Sequence, residues 1–148
     1  MSQAYQNILV AIDLSDESRL VLERAQEVAQ RNQQAKVHVL HTLEPLGFAY
    51  GGDIPMDLTS IQEQLDAHAR QRLSNLLEGI DIPTERQHIL VGMPDTEAHR
   101  LAEELNIDLI VVGSHGRHGL QLLLGSVSSG VLHGAPCDVL AVRVGKKG

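Results

Sequence analysis

Aromatic residues and cysteine are scarce in this chain of 148 residues. It has no tryptophan, one phenylalanine and two tyrosines, which excludes the aromatic platforms on which single-stranded nucleic acid stacks. The single cysteine, Cys137, excludes an internal disulfide and a cysteine-based zinc site, and it fits a reducing compartment. The core must therefore be aliphatic, and a hydrophobic content of 43% is enough to build one.

Long apolar runs and an excess of basic residues are also missing. No run approaches the roughly 20 residues that cross a bilayer, and the opening MSQAYQ lacks the basic and apolar regions of a secretory signal. Acidic residues (19) outnumber lysine and arginine (12), and the net charge of -7 repels nucleic acid and anionic lipid. We therefore expect a cytoplasmic protein with no nucleic-acid or membrane partner.

Short apolar runs alternate with segments of helical periodicity along the whole chain, which is typical of an α/β fold. No internal repeat or linker interrupts this order, so we expect a single domain over residues 1–148. The runs predict five strands, at residues 8–12, 35–42, 84–91, 108–112 and 139–144. The intervening patterns predict helices around residues 20–29, 57–77, 94–105 and 126–133.

Right-handed crossovers between parallel strands predict a doubly wound, five-stranded parallel sheet with helices on both faces. Ligands of such sheets bind outside the carboxyl ends of the strands, where the strand order reverses. Candidate strand ends are Asp13, Thr42, Gly92 and Gly113. A pocket at this edge would be assembled from loops that are distant in sequence.

Residues 43–56 form the one long stretch without periodicity, and they contain two prolines and three glycines. Two interpretations stay open for this stretch. It is either a surface connection, as loops of this length often are, or a lid over a pocket.

The segment after the fourth predicted strand carries the clearest functional signal. Its glycines let a ligand approach the main chain, and Ser126 follows Gly125 at a predicted helix start, where free amides and the helix dipole favour an anion. Residues 109–137 contain no Asp or Glu, although the composition predicts about four. The segment therefore predicts a phosphate site, with a mere strand-to-helix connection as the alternative. Basic residues in the same window are His115, Arg117, His118 and His133.

Several motifs along the chain are similar to those of one protein family. They are NILVAIDLS at residues 7–15, VLH at 39–41, DLIVVGSHG at 108–116, GSV at 125–127 and APCDVL at 135–140. In this combination the chain resembles the universal stress protein family over essentially its whole length. The resemblance implies the adenine nucleotide alpha hydrolase-like form of the doubly wound fold.

The glycine signature departs from the family pattern in its length. ATP-binding members have Gly, two residues, Gly, nine residues, and then Gly-Ser or Gly-Thr. This chain has Gly113, two residues and Gly116, but only eight residues before Gly125. The retained glycines favour nucleotide binding, and the missing residue shortens the loop over the phosphates.

The resemblance implies positions around an adenine nucleotide, ATP or AMP, with Mg²⁺ as a candidate ion. The residues beside the adenosine would be Ala11, Ile12, Asp13 and Thr42. Those along the ribose and the first phosphates would be Val112, Gly113 and Gly116, and those around the remaining phosphates Gly125, Ser126, Val127 and Ser128.

Four side chains lie near this site, and Asp13 and Arg117 each have an alternative role. Asp13 would accept a hydrogen bond from a ribose hydroxyl or lie near Mg²⁺, or else it caps the first helix. Arg117 would add charge on the phosphates, or else it is an exposed, solvated side chain, and His115 lies near the same phosphates. His41, at a strand end, is expected to be a satisfied core or pocket-wall residue.

Catalysis has little support in the sequence. Phosphoryl transfer needs a charge clamp, a metal held by carboxylates and a group that orients the nucleophile. The P-loop pattern is absent, and no carboxylate lies between Asp108 and Asp138. We therefore expect no catalytic residues and no protein-held metal, and at most slow ATP hydrolysis.

The last predicted strand, residues 139–144, is too apolar for an uncovered sheet edge. The resemblance implies a homodimer joined through it. We expect a dimeric, adenine-nucleotide-binding stress-response protein that acts as a sensor or regulator of an unidentified protein. A nucleotide-free dimeric interaction protein of the same fold and a weak ATPase are the alternatives.

Overall fold

The structure is a computed structural model, and it describes residues 4–43, 58–115 and 130–144. The strands in this part of the chain are β1 Asn7–Ala11, β2 Lys36–Leu43, β3 Gln87–Val91, β4 Leu109–His115 and β5 Asp138–Val144. The helices are α1 Ser18–Arg31, α2 Leu58–Leu76 and α3 Pro94–Glu104, and residues 130–132 are also helical.

The strands form one parallel sheet in the order β3-β2-β1-β4-β5. The chain first builds outward from β1 to β3, and then crosses to the other side of β1 to place β4 and β5. The strand order therefore reverses between β1 and β4, as a doubly wound sheet requires. This arrangement confirms the predicted five-stranded α/β fold.

Helices cover both faces of the sheet because neighbouring side chains of a strand point to opposite faces. In β1, Ile8 and Val10 pack with α1 and α2, whereas Leu9 and Ala11 pack with α3. All four are buried, so β1 is apolar at each of these positions rather than alternating with polar residues. The helices on both faces are thus as predicted.

The third strand begins later than predicted. Thr84–Arg86 forms a single turn of 3-10 helix, and β3 starts only at Gln87. The turn is closed by the Arg86 N–H, which donates to Pro83 O at 2.9 Å, and the Arg86 Nε donates to Val37 O at 3.0 Å. The prediction of a strand from residue 84 was therefore wrong by one helical turn.

Two predicted features lie outside the described residues. They are the stretch that was interpreted as either a connection or a lid, apart from its first residue, Leu43, and most of the glycine loop with the start of the helix after it. Within the described ranges, no helix has the length and apolarity to cross a membrane.

Candidate functional site at the carboxyl ends of the central strands

The reversal point brings the ends of three strands to one edge of the sheet. Ala11 lies opposite Val112 of β4 on one side and Leu40 of β2 on the other. Both Ala11 and Val112 are buried on the α3 face. The edge therefore has an apolar base at the carboxyl ends of β1 and β4.

The predicted adenosine and ribose positions lie together at this edge. Ile12 and Asp13 follow β1, Thr42 lies two residues beyond the partner of Ala11 in β2, and Gly113 follows Val112 in β4. Asp13 is exposed, whereas Ile12, Thr42 and Gly113 are half-buried. The topology thus brings together residues that are about 100 positions apart in sequence.

Asp13 shapes the loop between β1 and α1. Its Oδ1 accepts from the backbone N–H of Ser15 and from the hydroxyl of Ser18, both at 3.0 Å. The residue at the N-cap of α1 is Glu17, whose side chain makes no capping bond. Asp13 therefore does not occupy the N-cap position, and it instead folds the loop as an Asx turn joined to the first residue of the helix.

The next residue of this loop, Leu14, has a backbone conformation that is unfavourable for leucine. Its φ of 63° lies in the left-handed region, which costs a non-glycine residue on the order of 1 kcal/mol. The Leu14 carbonyl accepts from Nε of Arg72 in α2 at 3.0 Å, and Nη2 of Arg72 pairs with Asp16. A helix that is distant in sequence therefore holds both sides of the turn.

His41 supports the loop from β2. Its Nδ1 donates to the carbonyl of Ile12 at 3.0 Å, and its ring is half-buried. The Ile12 N–H in turn donates to Leu40 O at 3.0 Å, so both polar backbone groups of Ile12 are held by β2. His41 is thus a satisfied residue next to the site, as expected.

Cys137 lies just before β5, at the amino ends of the strands and thus away from the candidate site. Burial, together with the negative charges of Asp138 and Asp108, raises the pKa of its thiol to about 11. Because the thiolate is the reactive form, this residue is poorly suited to nucleophilic or redox chemistry.

His115 ends β4 opposite Val144. In residues 4–43, 58–115 and 130–144, no group of three or more His, Cys, Asp and Glu side chains is placed to hold a metal ion. The predicted phosphate residues outside the described ranges are Gly116, Arg117, Gly125, Ser126, Val127 and Ser128.

Arg72 and Ser18 contact this loop and were not predicted from the sequence. The pattern Asp13-x-Ser15 is a common Asx-turn sequence, so the first bond of Asp13 could have been found. Arg72 had no such signal, because it is 58 positions from Leu14 and nothing in the sequence separates it from Arg70 of the same helix.

Comparison with known proteins gives matches along nearly the whole chain. The profile of the Universal stress protein family matches residues 4–143. Universal stress protein A homolog 1 of Coxiella burnetii is 48% identical over 140 residues, which cover 93% of this chain and 96% of the relative. Universal stress protein A homolog 2 of the same organism is 41% identical over 144 residues, covering 95% and 96%.

Solved structures agree with this assignment. The universal stress protein UspA from Lactobacillus plantarum superposes with a TM-score of 0.75 at 27% identity, over 96% of this chain and 100% of that one. A universal stress protein in complex with cAMP superposes with a TM-score of 0.65 at 28% identity, over 95% and 98%. From the sheet order, the shared motifs and these matches together, the chain belongs to the universal stress protein family.

Proposed function

We propose that this protein binds an adenine nucleotide at the carboxyl ends of β1 and β4 and acts in the cytoplasm as a nucleotide-responsive regulator of the stress response. The observation that carries the proposal is the register of the central strands. Ala11 lies opposite Val112, so Asp13, two residues after Ala11, and Gly113, one residue after Val112, lie at the same edge of the sheet. This is the position at which doubly wound sheets bind their ligands.

The choice of an adenine nucleotide has two supports. One is the glycine signature of Gly113, Gly116, Gly125 and Ser126, which matches that of ATP-binding family members except for one missing residue. The other is the related universal stress protein that was solved in complex with cAMP. ATP, AMP and cAMP share the adenosine, so they test the same pocket with different phosphates.

Each part of the site would meet a different part of the ligand. Ala11 and Val112 would form the apolar base, and Ile12, Asp13 and Thr42 would border the adenosine. The glycines would let backbone amides approach the phosphates, and Ser126 and Ser128 would add hydroxyl donors. The remaining predicted residues would also lie around the phosphates of the nucleotide; they are His115, Arg117 and Val127.

Efficient turnover is not part of the proposal. No carboxylate lies between Asp108 and Asp138, so a Mg²⁺ ion at the phosphates would depend on phosphate oxygens, hydroxyls, water and Asp13. The ion would enter with the nucleotide, and we expect hydrolysis to be slow at most.

Calorimetry tests the binding directly. The purified chain is titrated with ATP, AMP and cAMP, with and without Mg²⁺, and we expect saturable binding of at least one of them. Gly116→Val should weaken that binding by about tenfold or more, because a branched side chain would separate the ligand from the main chain. The same titrations with a guanine nucleotide measure selectivity for adenine.

Two outcomes contradict the proposal. If no adenine nucleotide binds at millimolar concentration, the proposal is wrong and the alternative, a nucleotide-free interaction protein, is favoured. If ATP is hydrolysed rapidly and Gly116→Val abolishes the hydrolysis, the protein is an enzyme. Hydrolysis that this variant leaves unchanged would come from a contaminant.

We also propose that the protein is a homodimer joined through β5. This strand pairs with β4 on one side and is at the end of the sheet order, and Ala141 and Arg143 are exposed. An apolar edge strand is an open template for pairing with another strand, and a two-fold axis would let each copy cover the other.

Light scattering tests the dimer, with an expected mass of twice 16.1 kDa. Ala141→Pro and Val142→Pro are compared, because successive backbone N–H groups of a strand point to opposite sides. The variant whose lost N–H points away from β4 should keep the fold by circular dichroism and become monomeric. A wild-type protein of monomeric mass would refute this interface.

A further inference from the structure

The loop between β1 and α1 is attached to the rest of the protein at separate points on its two sides. His41 of β2 holds the carbonyl of Ile12, and the Asp13 carboxylate holds the turn from within. Arg72 of α2 holds the far side of the turn, at Leu14 and Asp16. The first two attachments come from the strands and the loop itself, whereas the third crosses to a separate helix.

We infer that Arg72 is a positioning residue of the nucleotide site, one that fixes the β1–α1 loop in the conformation that receives the ligand. The inference rests on the proposed nucleotide binding and adds a residue to it. Arg72 acts through the loop, since its hydrogen bonds to Leu14 and Asp16 are made within the loop rather than at the strand ends.

The conformation of Leu14 explains why such a residue is needed. A leucine with φ of 63° is in a region that it leaves readily when nothing holds it. A change in φ at Leu14 reorients the peptide between Asp13 and Leu14, and with it the Asp13 side of the turn. The hydrogen bond from a charged donor to the Leu14 carbonyl opposes this change.

The guanidinium is suited to this task because it presents several donors in a rigid plane. Nε is directed to the Leu14 carbonyl while Nη2 is directed to the Asp16 carboxylate, so one side chain fixes two points of the turn. A lysine carries a single ammonium and would serve one of these acceptors better than the other. Arg72→Lys is therefore expected to restore part of the function only.

A second arginine provides a matched control for the attachment of α2. Nη1 of Arg19 in α1 donates to the carbonyls of Leu76 and Glu78, at 3.1 and 2.8 Å, and so fixes the carboxyl end of α2. Neither acceptor belongs to the β1–α1 loop. Loss of Arg19 loosens α2 without removing the bond to Leu14, which separates general stability from positioning of the site.

The test compares four variants of the full chain: Arg72→Gln, Arg72→Lys, Arg19→Gln and Arg70→Gln. Arg70 is exposed on α2 and pairs with Asp66 of the same helix, so its loss controls for charge. Kd values for ATP and cAMP are measured by calorimetry, well below the melting temperature of each variant. Hydrogen exchange of the backbone amides at residues 13–17 is measured in the absence of ligand.

We expect Arg72→Gln to weaken binding about tenfold and to speed exchange in the loop, with Arg72→Lys in between. Arg19→Gln should lower the melting temperature but change Kd less than about twofold, and Arg70→Gln should change neither. If Arg72→Gln does not fold, the comparison of Arg72→Lys with Arg19→Gln gives the same answer.

Two results would overturn the inference while leaving nucleotide binding intact. One is wild-type affinity in both Arg72 variants, and the other is an equal loss of affinity in Arg19→Gln, which would make Arg72 a stabiliser of α2 only. Failure of the wild-type protein to bind any adenine nucleotide would overturn the proposed function and this inference together.

Discussion

Replacing Ile110 by alanine is expected to lower the free energy of unfolding by about 3 kcal/mol. Ile110 is fully buried in β4, between Leu9 of β1 and Val139 of β5, and it packs on the face of the sheet covered by α3. The substitution removes buried methyl and methylene groups and leaves a cavity that the surrounding strands can fill only in part.

Urea denaturation followed by circular dichroism measures this loss as a lower midpoint with an unchanged slope. The matched control is Leu20→Ala on α1, where the leucine is 52% exposed and the expected change is within about 0.5 kcal/mol. If the two variants lose similar stability, the central strand is not the core that its burial indicates.

The strands of this fold were predictable because a covered parallel strand leaves a simple pattern. Ile8, Leu9 and Val10 are consecutive and all fully buried, as the runs of apolar residues in the sequence require. The helices were predictable for a related reason. In α1, buried Val21, Leu22, Ala25 and Ala29 recur at helical spacing, since one stripe of the helix meets the sheet.

The start of β3 was not predictable in the same way. Thr84, Glu85 and Arg86 have no periodicity that separates an extended segment from a single helical turn. The turn is fixed instead by Arg86, whose side chain reaches Val37 of the neighbouring strand. The hydrogen bond from Arg86 to Val37 joins residues that are 49 positions apart, so the sequence around residue 84 does not indicate the turn.

In the candidate site, too, some residues could be predicted from the sequence and others could not. That Asp13 and Gly113 lie at one edge followed from the alternation of strands and helices, because the carboxyl ends of parallel strands meet there. The predicted end of the fourth strand at Gly113 was wrong, because β4 continues to His115 in register with β5. The residues that hold the β1–α1 loop could not be predicted from this alternation. Leu14 is an ordinary leucine in sequence, and no local pattern signals its left-handed conformation or the bond that its carbonyl accepts from Arg72 of another helix.

Mild acidification is expected to destabilise the protein through a pair of histidines on neighbouring strands. His38 of β2 is 9% exposed, and its Nδ1 lies 3.3 Å from Nε2 of His88 in β3, with the rings stacked 5.5 Å apart. Burial, together with the nearby His88, Arg86 and Lys36, lowers the pKa of His38 to about 4. Burial also lowers the pKa of His88.

The sign of the effect follows from comparing folded and unfolded states. In the unfolded chain His38 has a pKa of about 6.5, so between pH 6.5 and 4 the unfolded state binds more protons than the folded state. The stability due to neutral His38 is therefore complete above about pH 6.5, and it is lost as the pH falls toward about 4. The loss from this residue reaches about 3 kcal/mol at most.

Urea denaturation at about pH 7.5 and about pH 4.5 tests this expectation, with a loss of roughly 2 kcal/mol in the wild type. His38→Gln keeps a polar partner for His88 but cannot take up the proton, so its stability should fall much less over the same interval. His68→Gln, at an exposed position of α2, should fall as the wild type does. Carboxylates that titrate in this range are common to all three proteins, so the difference between them isolates His38. If His38→Gln loses as much stability as the wild type, the acid sensitivity does not come from His38 and belongs to His88 or to those carboxylates.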